Sequence, residues 1–301
     1  MIKILIADEI DLAGLKKLSA NKFSVKCEFG ITNSDIIKLF KDYNVLVIRS
    51  IRKIDKEFIK NTNFQMIATC SKGTDHIDLI SAKIKNIKIL NANEGNHISA
   101  AEHTLGLILS IYKKINFSDK LVRENKFKFY NYERNELYGK SIGIVGFGKV
   151  GSYVGKLCKA FGMNVYANDT NTKVKNQNKK YNFISLNFLL KNADIITIHI
   201  PLNKNNYKFF SEDKLDLVKS SSVLINTSRG DVIEEKYLLK KLKEKKIKYA
   251  GLDVFSSEPN VNRGFSTLSN VILTNHIAGK TIESKERISE SIFADINIFF
   301  L

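Results

Sequence analysis

Ser141-Ile142-Gly143-Ile144-Val145-Gly146-Phe147-Gly148-Lys149-Val150-Gly151 is the stretch that decides the fold of this chain. Its first five residues read as a buried strand, and the GxGxxG that follows leads into a helix expected from about Lys149. Glycines permit a tight turn there, and a helix N-terminus presents backbone N–H groups to a pyrophosphate. Asp169 closes the next expected strand about twenty residues on, where a carboxylate can accept hydrogen bonds from ribose hydroxyls. It would repel a 2′-phosphate, and Thr170-Asn171-Thr172-Lys173 supplies no arginine, so NAD is expected over NADP. The bland alternative is a strand–helix turn with structural glycines.

Outward from this motif, short Ile- and Val-rich runs alternate with helical patterns from end to end, which predicts parallel α/β architecture. Strands are expected near Lys3–Ala7, Ser24–Glu28, Val45–Arg49, Met66–Cys70 and Lys88–Asn91. A long helix is expected from about Ser99 to Ile115, opened by Asn96. Further strands are expected near Ser141–Val145, Asn164–Asn168, Ile195–Ile200, Val223–Thr227, Tyr249–Asp253 and Val271–Thr274, then a helix within Lys280–Phe299. Asn116–Gly139 is the least regular stretch, either a surface connection or a cover for a cleft, with the connection favoured. In open parallel sheets ligands sit beyond the carboxyl ends of the strands. Arg49-Ser50, Ser71-Lys72-Gly73, Asn93-Glu94, Gly146, Asp169, Pro201, Thr227 to Arg229, Asp253 and His276 all stand at such ends, on the edge where a shared cleft would lie.

Bulk properties bound the rest. The chain has 301 residues, 44% of them hydrophobic, enough for two domains. Its net charge of +17 comes mostly from lysines spread along the whole sequence. That pattern predicts solvated faces rather than a nucleic-acid footprint, and Leu239–Lys248 reads as mostly the polar side of one helix. Cys27, Cys70 and Cys158 are far apart without metal or disulfide spacing, which fits a reducing cytosol and no metal site. Asp8 and Glu9 interrupt any leader-like apolar start, and no run nears the roughly 18 apolar residues of a membrane helix. The expectation is a cytoplasmic protein with neither membrane nor nucleic-acid partners.

Three ionisable residues follow in order: Arg229 in Asn226-Thr227-Ser228-Arg229-Gly230, Glu258 in Leu252-Asp253-Val254-Phe255-Ser256-Ser257-Glu258-Pro259, and His276 in Asn275-His276-Ile277-Ala278-Gly279. A guanidinium that grips a carboxylate, and an imidazole held by a carboxylate, are parts suited to hydride chemistry at a 2-hydroxy acid. Each has a plainer reading alone: a surface turn, a solvated loop acid, a satisfied histidine. Together, downstream of the glycine motif, they interlock.

These segments, with Gly73-Thr74-Asp75-His76-Ile77-Asp78 and Gly95 to Thr104, resemble the D-isomer-specific 2-hydroxyacid dehydrogenases over nearly the whole chain. The resemblance implies a flavodoxin-like substrate domain (1–96 and 280–301) with a Rossmann NAD domain (97–279) inserted into it. It implies His276 as acid–base, Glu258 as the group that orients it, and Arg229 on the substrate carboxylate. Gly146, Gly148, Lys149, Val150, Gly151, Asp169, Pro201, Thr227, Ser228, Asp253, Ala278 and Gly279 would line the cofactor. Ser71, Lys72 and Gly73 would hold the carboxylate. Arg49 and Ser50 resemble the segment that phosphoglycerate and erythronate-4-phosphate dehydrogenases aim at a substrate phosphate, with Lys72 and Arg52 adding charge. His199 is expected to shape the loop beside the cofactor, and His76, His97 and His103 to be structural.

Features lean both ways on substrate, and the phosphoglycerate branch is favoured. Because the chain ends at Leu301 without a serine-sensing domain, serine is expected not to inhibit. A homodimer is implied. Asn275 replaces the proline usual before the histidine, which could loosen its loop. A nicotinamide-sensing, corepressor-like protein is the alternative class.

Overall fold

The computed structural model describes residues 1–92, 95–128 and 133–301. Asn93-Glu94 and part of the Asn116–Gly139 stretch lie outside them. The chain divides into two compact units, Met1–Asn96 with Lys280–Leu301, and His97–Gly279. Both are built on parallel sheets flanked by helices.

In the first unit, β1 (Ile2–Ile6), β2 (Phe23–Cys27), β3 (Val45–Ile48), β4 (Met66–Thr69) and β5 (Lys88–Asn91) pair in the order β2-β1-β3-β4-β5. This is the flavodoxin-like order. The central strands β3 and β4 are buried at every position because both faces are covered. Leu5, Leu46, Ile48 and Ile67 pack on one side with Ile36, Phe58, Ile59 and Phe64. Ile4, Ile6, Val45, Val47 and Met66 pack on the other with Ile288, Ile292, Phe293 and Ile296. The latter four lie on the helix Ile282–Phe300, whose Thr281 Oγ1 accepts from Ser284 N at 3.1 Å as an N-cap. Each such buried side chain stabilises by roughly 1.5–3 kcal/mol, so Phe293→Ala would strip this face of its largest helical contact.

The second unit holds β6 (Ser141–Val145), β7 (Asn164–Asn168), β8 (Asn182–Phe183), β9 (Ile195–Ile198), β10 (Val223–Asn226), β11 (Tyr249–Leu252) and β12 (Val271–Leu273). Their order, β12-β11-β10-β9-β6-β7-β8, reverses direction between β6 and β9, as in a Rossmann sheet. That reversal opens a crevice at the carboxyl ends of these two strands.

The strands match expectation to within two residues at each end; β8, two residues at the sheet edge, was not foreseen. Two helical expectations change. The long helix spans His97–Lys113, and after Lys114 at φ 57° a second helix runs Ile115–Arg123 inside the stretch expected to be irregular. Of its residues Leu121 alone is buried. Leu239–Lys248 is not one solvated helix face. The helix is Glu235–Lys243, and Lys241, Leu242 and Ile247 are buried, with Lys241 Nζ 2.7 Å from Asp216 Oδ1. Among the described residues, no helix is long and apolar enough to cross a membrane.

Candidate active site

The three glycines after β6 do different work. Gly146 sits at φ +88°, and a Cβ there would lie 2.8 Å from the His199 carbonyl carbon. Gly151 lets the helix Lys149–Ala160 close on the turn, since a Cβ would stand 2.0 Å from Gly146 O. A Cβ on Gly148 would meet nothing within 4 Å. Packing therefore does not explain Gly148, whereas close approach of a ligand would. Gly148 is also the helix N-cap and provides no side-chain cap, so this end keeps its positive dipole for an anion. Lys149 and Val150 form the first turn. Asp169, just past β7, accepts from Phe147 N at 2.7 Å and from Asn171 N at 2.8 Å. It braces the glycine loop and keeps lone-pair capacity for a ribose hydroxyl. These residues fit a dinucleotide.

Beyond β9, His199 Nε2 lies 2.5 Å from Thr197 Oγ1. His199 retains a partly exposed surface, yet protein atoms surround it so densely that burial pushes its pKa down to about 3. It is a neutral group. Pro201 follows on the same loop and accepts from Asn206 Nδ2 at 2.9 Å.

Beyond β10, the buried side chain of Asn226 folds the turn that presents Arg229. Its Oδ1 accepts from Ser228 N at 3.0 Å and Ser228 Oγ at 2.8 Å, while its Nδ2 donates to Arg229 O at 2.9 Å. Thr227 Oγ1 contacts Thr104 Oγ1 at 2.9 Å, fixing the turn to the helix His97–Lys113. Arg229 is half-buried, and one Nη1–H donates to Ser228 O at 2.7 Å.

Glu258 and His276 meet. Glu258 Oε2 lies 2.6 Å from His276 Nδ1, and Glu258 Oε1 accepts from Phe255 N at 3.0 Å. A carboxylate accepts, so Nδ1 carries the proton and Nε2 is the nitrogen left to exchange one. His276 occupies a left-handed conformation, φ 55°, that few non-glycine residues adopt.

Asp253, expected beside the cofactor, holds it there from the end of β11. Its side chain is fully buried. Oδ1 accepts from Thr274 Oγ1 at 2.7 Å and Ile277 N at 2.9 Å, Oδ2 from Ala278 N at 2.9 Å, and its carbonyl from His276 N at 2.9 Å. A buried carboxylate needs such donors, and here they are the loop itself. His103 Nε2 completes the cluster at 3.1 Å from Thr274 Oγ1. Ala278 is buried and Gly279 ends the unit.

In the first unit, Arg49 N donates to the buried Asp8 Oδ2 at 2.8 Å, and its Nη1 reaches Glu9 O at 3.3 Å. Ser50 is exposed. Arg52 is not an added charge for a ligand, contrary to expectation. Its guanidinium is buried on Asp8 Oδ1 (3.0 and 2.7 Å), Asn33 Oδ1 (2.7 Å), Ala7 O (3.2 Å) and Ile31 O (2.8 Å). Ser71 Oγ donates to Gly73 O at 2.8 Å, and Lys72 is exposed.

Sequence reasoning passed over Asn226, Gly230 and His103 as parts of this site. Asn226 carried a signal: an amide closing an apolar strand must satisfy its polar atoms in the turn.

Comparison with known proteins fits this geometry. A family model described as D-isomer specific 2-hydroxyacid dehydrogenase, NAD binding domain, matches residues 105–278. A D-3-phosphoglycerate dehydrogenase from Archaeoglobus fulgidus is 32% identical over 98% of this chain, which spans 56% of that protein. A hydroxypyruvate reductase from Thermotoga maritima is 32% identical over 89% of this chain and 90% of its own length. Among solved structures, the TT0316 protein from Thermus thermophilus superposes with a TM-score of 0.86 at 26% identity, covering 97% of this chain and 94% of that one. Residues 105–278 are thus an NAD-binding domain, and the chain belongs to the D-isomer-specific 2-hydroxyacid dehydrogenase family.

Proposed function

We propose that the chain oxidises a D-2-hydroxy acid to its 2-keto acid with NAD, and that D-3-phosphoglycerate is the substrate, giving 3-phosphohydroxypyruvate on a route to serine. The observation that carries the reading is the 2.6 Å pairing of His276 Nδ1 with Glu258 Oε2. It leaves Nε2 to take the substrate hydroxyl proton in oxidation and return it in reduction. Bound NAD supplies the hydride acceptor. Arg229 offers a planar fork for the substrate carboxylate and for charge developing on the C2 oxygen. Gly146, Gly148 and Gly151 seat the pyrophosphate, Asp169 the ribose, and Lys149, Val150, Pro201, Thr227, Ser228, Ala278 and Gly279 adjoin the cofactor. In the other unit, the Ser71–Gly73 loop takes the carboxylate, and Arg49 with Ser50 takes the phosphate. Cytoplasmic location and a homodimer follow the family resemblance.

A second reading, reduction of hydroxypyruvate or glyoxylate, is favoured by Arg52: with its donors spent internally, the end of β3 offers less positive charge to a phosphate. The test is NADH formation with D-3-phosphoglycerate, D-erythronate-4-phosphate and D-glycerate in parallel, repeated with the keto acids and NADH. Selective turnover of one phosphorylated acid supports Arg49 as its anchor. Turnover of glycerate alone removes the phosphate assignment, and silence throughout removes the dehydrogenase reading.

A further inference from the structure

Three consecutive carbonyls beyond β4 are each tied down. Ser71 O accepts from Ala92 N at 3.0 Å, Lys72 O from Asn91 Nδ2 at 2.6 Å, and Gly73 O from Ser71 Oγ at 2.8 Å. In a trans peptide the next N–H points opposite to the carbonyl. The N–H groups of Lys72, Gly73 and Thr74 are therefore each turned away from these partners, an orientation that a backbone anion site requires.

The third tie depends on a proton count. Ser71 Oγ has one proton, which it gives to Gly73 O. In its 2.9 Å contact with Thr69 Oγ1 it must then accept, and Thr69 must donate. Thr69, fully buried, has now spent its proton, so in the 3.0 Å contact with His76 Nε2 the imidazole must be the donor. The result is a one-way chain: His76 Nε2–H to Thr69, Thr69 to Ser71, Ser71 to Gly73 O. The backbone of His76 is fixed for this task, since its carbonyl accepts from Ile54 N at 2.8 Å and Ile77 N donates to Thr74 O at 2.9 Å.

We infer that His76 is a positioning residue for substrate binding: it polarises an ordered relay that holds the Ser71–Gly73 loop in its anion-accepting shape. This rests on the proposal that the loop receives the substrate carboxylate. It assigns His76, expected to be structural, a share in ligand affinity without contact with the ligand.

Two measurements test it. Nitrogen-15 NMR of the imidazole in the unliganded protein reads the relay whether or not the enzyme reading stands. A proton on Nε2 is expected, and the Nδ1–H tautomer with a bare Nε2 overturns the relay. Kinetics of His76→Gln, His76→Leu and His76→Glu on whichever acid the wild type oxidises read its consequence; a silent wild type would sink the dehydrogenase reading and leave the relay to the NMR result. Gln presents an amide N–H near the Nε2 position and should stay close to wild type. Leu removes the donor, and KM for the acid should rise about tenfold, the worth of one hydrogen bond to a charged group. Glu is acceptor-only, reverses the chain, and should be at least as harmful. Throughout, kcat and the NAD Kd should hold within about twofold. Unchanged KM in Leu and Glu, a Gln variant no better than Leu, or parallel loss of KM, kcat and NAD affinity overturns the inference.

Discussion

Gly230 stands so close to Phe255 that a Cβ on it would lie 1.9 Å from the Phe255 carbonyl carbon and 2.2 Å from its oxygen. The obstruction is backbone, which cannot swing aside as a side chain can. Gly230 follows Arg229, and Phe255 N–H holds Glu258, so a single contact keeps the guanidinium turn and the carboxylate loop in register.

Gly230→Ala is therefore expected to disturb both at once. kcat/KM should fall by about 100-fold, as for a misplaced catalytic group, with stability lower by roughly 1–3 kcal/mol from overpacking. Steady-state kinetics beside thermal melts check it; wild-type activity would mean the two segments can separate without cost.

Glu258→Gln removes the negative charge that faces Nδ1–H of His276. A fall in kcat of about 100-fold is expected, with NAD binding by fluorescence titration unchanged, because the glycine loop is untouched.

Arg49 and Arg52 should part company. Arg52→Ala leaves Asp8 buried and unpaired, costing about 3–5 kcal/mol in thermal or denaturant unfolding. Arg49→Ala should leave stability nearly unchanged and raise KM for phosphorylated acids, while Arg229→Ala impairs every 2-hydroxy acid. Equal losses from Arg49→Ala on phosphorylated and plain acids would remove its phosphate role.

His199 gives a pH signature. Burial lowers its pKa from 6.5 in the unfolded chain to about 3 in the fold. Between those values the unfolded state binds more protons, so this contribution is whole above pH 6.5 and is lost as pH falls toward 3. A partly exposed surface tempers the effect. His199→Asn should flatten the decline of Tm between pH 7 and 4 relative to wild type; parallel curves would show that His199 does not drive it.

The central strands were readable because both of their faces are covered, so Val45–Ile48 shows as an unbroken apolar run. The glycine loop was readable because close approach demands glycine and leaves few other choices. What the sequence hid was pairing. Nothing in a run of letters shows that Arg52 is spent on Asp8 while Arg49, three residues earlier, is not. Asp253 ends a strand, but no pattern shows that backbone N–H groups more than twenty residues downstream donate to its carboxylate.

The last helix also sets an order of events during synthesis. His97–Gly279 is continuous in sequence and can complete its core once those residues have left the ribosome. The first unit cannot, although its five strands are made earliest. One face of its sheet, with Ile4, Val45 and Met66, stays open until Ile288, Ile292, Phe293 and Ile296 arrive. The nascent chain thus carries an uncovered hydrophobic sheet through most of its translation, a natural client for a holding chaperone and the place where a stalled or truncated chain would aggregate.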